Sequence, residues 1–442
     1  MKFKNLALMS VLIGLNSFTE AKEPSKPQDK KVEQERTPSL GDKLPPYTNP
    51  NRFEMDLSFI YWQATEDGLD YGLSENTQEL LVPDVAGFTT NPNVGYSLSG
   101  STKDKDLDFK WKPGFKVGIG AIFGQRDQWD LFLNWTWLQS TAHDSFKGAQ
   151  SFTNELNGQT IAQNPQQTTR EYIVPSWGPV VLGGPAAGAS SHWRLHYNTV
   201  DLELGRNFFL GKSLTLRPHI GLRGAFIHQH VNAKYDSILN ITVGQLGGVN
   251  ATPAQFNSFS PTSKFKGENN YDGGGLRGGL DVNWNFARSF AVYGKMSGSL
   301  LYGRFEVEES FKSSGTIVTN VPDDPLGAFA LTNAYDLSLH DNFHRVRSTF
   351  QLALGMTWHT DFNNDKQHLF ISLGYEFNKW FDQNELRELI LPRSPNVLTS
   401  AQNILDFTAQ RVISSFSNET TANRRQGDLA LQGLTFGVRF DF

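Results

Sequence analysis

Apolar and polar residues alternate along the last nine positions of the chain, LTFGVRFDF. Leu434, Phe436, Val438, Phe440 and Phe442 are apolar, and the residues between them are small or polar. Side chains of a β-strand point alternately to its two faces, so this pattern predicts a strand with one apolar and one polar face. Such a strand meets lipid on one side and water on the other within a closed transmembrane barrel.

The same alternation recurs along the chain and predicts about ten strands. Pairs of alternating runs joined by short polar links read as hairpins, for example 107–123 with 129–137, 200–204 with 214–226, 276–286 with 290–296, and 346–358 with 369–377. A strand that crosses a lipid band of about 25 Å at about 40° needs about ten residues, which is the length of these runs.

The connections between the predicted strands differ in length. Short links lie near 124–128, 207–212, 287–289 and 360–367, and long ones near 65–105, 140–191, 231–270, 310–342 and 381–425. This asymmetry is typical of periplasmic turns and extracellular loops. We therefore predict an all-β fold: a transmembrane antiparallel up-and-down β-barrel with short periplasmic turns, long extracellular loops and both termini in the periplasm.

Two stretches break the phase of the alternation. Apolar residues occupy odd positions at 193–197 but even positions at 200–204, and Leu429 and Leu431 fall out of phase with the final strand. A β-bulge would reset the phase. A further hairpin within a long loop would do so too, and would raise the strand count to twelve or more.

The N-terminus has the features of an export signal. Lys2 and Lys4 precede an apolar run at 6–15, and the small residues Thr19 and Ala21 follow it. The run is about half the length of a membrane-spanning helix, so we predict a signal peptide at 1–21 that is cleaved after Ala21. Residues 22–50 are rich in Lys, Glu, Gln and Pro and predict a disordered periplasmic tail, which leaves 51–442 for the barrel. The protein is thus expected in the bacterial outer membrane.

Composition narrows the class further. The chain has no cysteine, which excludes disulfides, thiolate metal sites and a lipid-anchored cysteine. Only 38% of residues are hydrophobic, yet there are 33 Phe, 10 Trp and 40 Gly, a bias that favours a barrel with a wet interior over a dry soluble core. Tryptophans near strand ends suit the membrane interface, namely Trp129, Trp137, Trp284, Trp358 and Trp380. A net charge of −5 argues against a nucleic-acid partner.

Charged residues of both signs concentrate on the polar parity of the strands. A basic side chain on the lipid face costs about 2–4 kcal/mol near the midplane, so these residues are expected to face the lumen. The candidate lumen-lining residues are Lys110, Lys116, Asp130, Asp201, Glu203, Arg217, Arg223, Arg277, Asp281, Lys295, Arg345, Arg347, Glu376 and Arg439. Free charges would line a pore for ions and small hydrophilic solutes, whereas the same charges paired across the lumen would close it.

Signals of catalysis are weak. Gly273, Gly275 and Gly278 match a dinucleotide-binding pattern but open an alternating strand with no helix after it, so we interpret the match as chance. His228 and His230 share one strand face without a third metal ligand in the pattern. We predict no catalytic residue, cofactor or metal site, although catalytic residues dispersed along a barrel would escape this reasoning.

Several segments resemble a known family. They are FIYWQATEDGLDYG at 59–72, WKPGFKVGIG from Trp111, WDLFLNWTWL from Trp129, LRPHIGLRGA from Leu216 and the closing GLTFGVRFDF. They are similar to the pore-forming major outer membrane proteins of the Legionella type, which also occur in Chlamydia-related bacteria. The resemblance extends from about residue 53 to the end. Members are often cross-linked by cysteines, which this chain lacks.

The resemblance implies an abundant porin that forms homo-oligomers and contacts host cells. The terminal Phe442 resembles the signal that is read by the barrel-assembly machinery. We therefore expect a channel in the outer-membrane lipid for ions and small hydrophilic solutes. The alternative is a surface adhesin or structural barrel that attaches to host cells.

Overall fold

The computed structural model describes residues 51–80, 96–97, 103–123, 129–148, 167–177, 186–210, 213–237, 255–257, 262–287, 289–320, 329–362, 367–390 and 421–442. The predicted signal peptide at 1–21 and tail at 22–50 lie outside these residues. Among the described residues, no helix is long and apolar enough to cross a membrane.

Ten long strands form a closed antiparallel barrel, which confirms the predicted fold. They are β1 (Asn51–Glu66), β2 (Trp111–Phe123), β3 (Trp129–Lys147), β4 (Ala186–Arg206), β5 (Leu214–Ser237), β6 (Thr262–Ala287), β7 (Phe290–Asn320), β8 (Phe329–Phe362), β9 (Gln367–Asn384) and β10 (Gly427–Asp441). Each strand pairs with the next, and β10 pairs with β1. Closure leaves no free sheet edge in the barrel wall.

In the part of the chain that the structure describes, nine shorter strands accompany the barrel. They are Gly72–Leu80, Tyr96–Ser97, Lys103–Lys105, Asp108–Phe109, Gln167–Pro175, Phe208–Leu210, Gln255–Asn257, Arg387–Ile390 and Thr421–Arg424. Gly72–Leu80 pairs with Gln167–Pro175, and Arg387–Ile390 with Thr421–Arg424 in a separate two-stranded sheet. Most of these strands lie in segments that we predicted as long loops.

The chain end holds the barrel seam. The Phe53 and Phe442 backbones exchange two hydrogen bonds of 2.9 Å each, and their rings lie 6.3 Å apart. From there the register runs from Glu54 opposite Asp441 to Glu66 opposite Leu429. The terminal phenylalanine therefore closes the ladder as well as ending the chain.

A band of exposed apolar side chains surrounds the barrel near the ends that the short links join. On β5 it includes Ile220, Leu222 and Phe226, and each of the nine remaining barrel strands also has exposed apolar side chains in this band. Apolar side chains on the outside of a barrel are stable only against lipid. The band therefore marks the membrane-spanning part.

Neither of the two explanations that we considered for the break in alternation at 193–204, a β-bulge or a further hairpin, is found in β4, which is one continuous strand there. Trp193 and Tyr197 face inward and are almost fully buried, whereas Val200 and Leu204 face outward, and the registers with β3 and β5 pass this point without a shift. The reversal arises because the interior changes character: it is polar at membrane level and apolar beyond it. Leu429 and Leu431 of β10 also face inward and are buried.

The strands extend far beyond the lipid band. β7 has 31 residues and β8 has 34, against the ten or so that crossing requires. The outward face of the extension is polar, for example at Lys312 and Asp336, which form an exposed pair at 3.0 Å. Much of what we predicted as loop at 231–270 and 310–342 is therefore barrel wall.

The hydrophobic core lies inside the barrel extension. Its largest fully buried side chains are Trp62, Trp177, Trp193, Trp380, Tyr71, Tyr235, Tyr271, Phe265 and Phe305. Trp380 was predicted at the membrane interface, but it faces inward and is completely buried. A tryptophan near a strand end suits either the membrane interface or a buried core. Which of the two it occupies depends on whether its side chain points outward or inward.

Candidate functional site: the charged lumen and its mouth

At membrane level, a cluster of paired charges centred on Arg217 occupies the lumen. The Arg217 guanidinium of β5 donates hydrogen bonds to Asp130 of β3 at 2.9 Å and to Asp281 of β6 at 2.8 Å, and lies 3.4 Å from Glu203 of β4. His219 stands between Glu203 and Asp281 at 3.6 and 3.7 Å. One guanidinium thus gathers three carboxylates from three strands.

A glycine makes this reach possible. Gly205 on β4 lies under the Arg217 side chain, and a Cβ at that position would come within 2.5 Å of Arg217 Nε. Gly374 on β9 plays the same part for Tyr293, whose hydroxyl would lie 2.1 Å from an added Cβ. Part of the heavy glycine use thus gives large lumen side chains room to cross neighbouring strands.

A second part of the network joins β4, β5, β6 and β8. Arg223 binds Asp201 through two hydrogen bonds of 2.6 and 2.7 Å, and both side chains are almost fully buried. Arg277 binds Glu203 at 2.8 Å. The Gln351 amide oxygen of β8 accepts from both guanidinium groups, at 3.1 Å from Arg223 and 2.9 Å from Arg277. Gln351 therefore bridges the two arginines.

The network then crosses to the opposite wall. Gln351 donates to Glu376 of β9 at 3.5 Å, and Glu376 accepts a hydrogen bond of 2.5 Å from Lys116 of β2. The Lys116 ammonium also lies 4.8 Å from the centre of a Trp62 ring, a favourable cation–π distance. Side chains from seven strands, six of which contribute charged residues, thus form one connected set of ion pairs and hydrogen bonds across the lumen.

The structure brings together nine of the predicted lumen residues in this network: Lys116, Asp130, Asp201, Glu203, Arg217, Arg223, Arg277, Asp281 and Glu376. Lys295 faces the same lumen but is exposed. Arg439 lies near the periplasmic end, 3.8 Å from Glu54 and 3.2 Å from Asp441. Lys110 precedes β2 in an exposed pair with Asp108 at 3.5 Å. The sequence analysis did not predict Gln351 and His219, because it took only Lys, Arg, Asp and Glu as candidate lumen residues.

The extracellular mouth is packed by segments that enter it from the loops. Trp177 stacks on Phe265 with ring centres 4.5 Å apart, and the Arg425 guanidinium lies 4.6 Å from the Trp177 ring. The Tyr235 hydroxyl donates to the Tyr71 carbonyl at 2.6 Å. These segments, around 69–71, 176–177 and 383–387, therefore close the described part of the mouth.

Two predicted residues belong to this mouth packing. Glu385 is completely buried and pairs with Arg345 at 2.9 Å and with Arg347. Arg347 also lies 4.6 Å from the Phe305 ring centre. Arg345 and Arg347 thus hold an entering loop segment to the barrel wall, above the charged network.

Glu309 makes this mouth sensitive to pH. Its carboxylate accepts a hydrogen bond from the Arg387 backbone, and burial raises the pKa of Glu309 to about 7. The folded protein therefore holds this proton at a higher pH than the unfolded chain does. The stability that Glu309 contributes is complete below its ordinary pKa of 4.5 and is lost as the pH rises towards about 7.

We expect the mouth to open more readily at pH 8 than at pH 5. Amide hydrogen exchange at 386–387, corrected for the intrinsic effect of pH, measures this opening, and Glu309→Gln should remove most of its pH dependence. Glu308→Gln is the matched control, because Glu308 lies on the outward face of the same strand and is exposed. An unchanged pH dependence in Glu309→Gln would contradict the assignment.

Among the described residues, one group of three side chains has the residue types and spacing of metal ligands. Glu306, Glu308 and His340 each place a ligand atom within 4.8 Å of the others on the outward face of β7 and β8. His340 lies 3.2 Å from Glu308, and Arg304 lies 3.8 Å from Glu306. Glu308 and His340 are exposed, Glu306 is half-buried, and each glutamate already faces a basic group, so the arrangement does not require an ion.

The chain has similarities to known proteins at the level of family and fold. A family model described as Legionella pneumophila major outer membrane protein precursor matches residues 45–442. No curated protein sequence matches the chain.

Similar solved structures include the outer membrane protease OmpT from Escherichia coli, with 8% identity and a TM-score of 0.30 over 89% of this chain and 97% of that one. A Pseudomonas aeruginosa FadL homologue has 7% identity and a TM-score of 0.18 over 89% and 90%. The P. putida toluene transporter TodX has 8% identity and a TM-score of 0.16 over 89% and 90%.

Proposed function

Because the chain belongs to the Legionella major outer membrane protein family, we propose that it forms an outer-membrane channel for ions and small hydrophilic solutes. It would reach the membrane by export through its signal peptide and by assembly through its terminal strand. The proposal includes no enzymatic step and no cofactor.

The observation that carries this proposal is the charged inner face at membrane level. Side chains of both signs from six strands meet there, although a barrel with a purely structural role needs no charge at this depth. Lys295 stays exposed beside the network, 5.7 Å from the Tyr293 ring centre. The charged side chains on the inner face thus offer water and ions polar groups to bind at the level where lipid surrounds the barrel.

The arrangement corresponds to a closed or narrow state. Ion pairs occupy the lumen, and the mouth segments cover it from outside. Passage requires these side chains and segments to move. A small solute needs less displacement than a large one, so we infer that size limits transport.

A structural barrel is the second candidate. It is favoured by the complete burial of Glu385 and Trp380 in the mouth, which would hold the lumen shut. Host-cell attachment rests on loop residues such as 149–166, which lie outside the described part of the chain, and stays a prediction. Homo-oligomer formation also stays a prediction.

Planar-bilayer recording separates a channel from a sealed barrel. We expect small discrete conductance steps from the full-length mature protein, with a roughly twofold increase in Gln351→Ala, because this change removes the side chain that bridges the two walls. Ser348→Ala is the control, since Ser348 lies on the outward face of the same strand, opposite Leu300.

Two results would contradict the channel. One is a sealed bilayer with verified insertion of both the wild type and Gln351→Ala. The other is an equal conductance in all three proteins, which would place the conducting path outside the lumen.

A further inference from the structure

Histidines are concentrated on the outward face of the barrel extension, a feature that the channel function does not use. The chain has ten histidines, and five of them lie on the outward faces of β3, β4 and β5: His143, His192, His196, His228 and His230. We call these five the histidine belt.

The belt lies directly above the lipid-facing band. His228 follows the exposed Phe226 by two positions on β5, and His196 precedes the exposed Val200 by four on β4. Alternation keeps these residues on one face, so the belt continues the surface that touches lipid. At this height a membrane presents headgroups rather than acyl chains.

The register pairs the belt residues across strands. His143 is directly opposite His192, His196 is opposite His228, and His230 is opposite Arg194. Directly opposed side chains have Cβ atoms about 4.5–5.5 Å apart. Protonation therefore places like charges side by side, and an anion that bridges them would relieve this repulsion.

Burial, Arg194, His143 and His230 together lower the pKa of His192. The shift means that His192 takes up its proton at a lower pH than a free histidine does, because burial and the neighbouring positive charges disfavour its charged form. Histidine in general gains its proton between pH 5 and 8, so mild acid is the condition that charges such a belt.

The other charged groups around the belt do not neutralise it at low pH. The acids that face it are Asp108, opposite His143, Glu268, 3.4 Å from His230, and Asp272, 3.3 Å from His228. The bases are Arg194, Lys110, which pairs with Asp108, Lys266, which is exposed on β6 two positions from Glu268, and at the upper edge Lys147, Lys234 and Lys264. Lys234 pairs with Asp236 at 3.0 Å. With neutral histidines these six bases outnumber the four acids by two, and protonation adds up to five further positive charges.

We propose that the histidine belt binds the phosphate groups of outer-leaflet lipid headgroups when the surroundings become acidic. Two features carry this inference. The belt is continuous with the lipid-facing band, and its charge at low pH is complementary to phosphate. Each basic group near an anionic surface strengthens binding several-fold. Acidification would thus attach the barrel more firmly to the lipid around it.

The test measures lipid binding as a function of pH. Full-length mature protein in neutral detergent is titrated with diphosphoryl lipid A at pH 7.5 and 5.5, with EDTA present to exclude metal bridges. We expect at least about tenfold tighter binding at pH 5.5. Changing all five histidines to glutamine should reduce the pH ratio below about threefold.

Two controls make the result specific. The His340→Gln, His344→Gln double variant removes two histidines from the outward face of β8, outside the belt, and should keep the full pH ratio. Lipid A stripped of its phosphates should bind equally at both pH values. If the fivefold variant fails to fold, His196→Gln with His228→Gln removes one opposed pair and should still lower the ratio.

Three results would overturn the proposal: an unchanged pH ratio in the belt variants, an equal pH ratio for dephosphorylated lipid A, or complete displacement of lipid A by an equal concentration of inorganic phosphate. The last would identify a site for free phosphate rather than for lipid.

Discussion

Asp201→Ala is expected to lower the free energy of unfolding by about 3–5 kcal/mol. The Asp201 carboxylate binds two nitrogens of Arg223, and the two side chains are 5% and 3% exposed. Removing the carboxylate leaves a buried guanidinium with Thr349 and Gln351 as its neutral hydrogen-bond partners. Urea unfolding in lipid vesicles, followed by the loss of the heat-modifiable gel band, measures the change.

An exposed pair on the same barrel provides the control. Asp336 binds Lys312 at 3.0 Å with side chains that are 68% and 62% exposed, so Asp336→Ala should cost less than about 1 kcal/mol. The combined Asp201→Leu, Arg223→Met variant should regain most of the stability, because neither charge is then left alone. Equal losses in Asp201→Ala and Asp336→Ala would show that the lumen at Arg223 is open to water.

Leu133→Arg is expected to cost about 2–4 kcal/mol and to block assembly. Leu133 faces outward in the middle of the β3 lipid band, opposite Ile119 and Leu202 on its neighbours. An arginine there would place a guanidinium in hydrocarbon. Folding yield into vesicles and urea unfolding both measure the loss.

The neighbouring residue is the matched control. Asn134 faces the lumen, opposite Asp201 of β4, so Asn134→Arg brings the same side chain to a position with a carboxylate nearby. We expect it to assemble and to change the ion selectivity of the channel. Equal failure of the two variants would mean that the assigned facing of β3 is wrong.

Much of the fold was predictable because lipid imposes one chemistry on one face. Alternation along β1, β5 and β10 gave the strands, the hairpins and the count of ten. The same rule failed above the membrane, where the outer face becomes polar and the inner face apolar. Without a marker for the height of the membrane, the reversal at 193–204 was interpreted as a β-bulge or a further hairpin.

The lumen was predictable in its composition but not in its pairing. Parity alone placed Arg217 and Glu376 on the inner face. Which residues meet depends on the stagger of the strands around the barrel, and a single sequence does not reveal it. Gln351 was missed because it is neutral, although it stands on a face that carries charged neighbours in adjacent strands.

The packing of the mouth was not predicted from the sequence, for a different reason. Trp177 lies in a segment without alternation, between polar and small residues, and was assigned to a loop. A single tryptophan in such a stretch is the one signal that the segment is buried. The structure shows why the segment is buried: the Trp177 ring stacks on Phe265 inside the barrel.

The most direct test of the account scans side-chain facing in the membrane. The native chain has no cysteine, so single cysteines can be introduced at each position from 129 to 137 and from 219 to 227 and labelled with a fluorophore in the unfolded protein. Folded into vesicles of brominated lipid, the odd positions of the first segment and the even positions of the second should be quenched and their neighbours should not. Uniform quenching, or none, would contradict a barrel wall with lipid on one face and a charged lumen on the other.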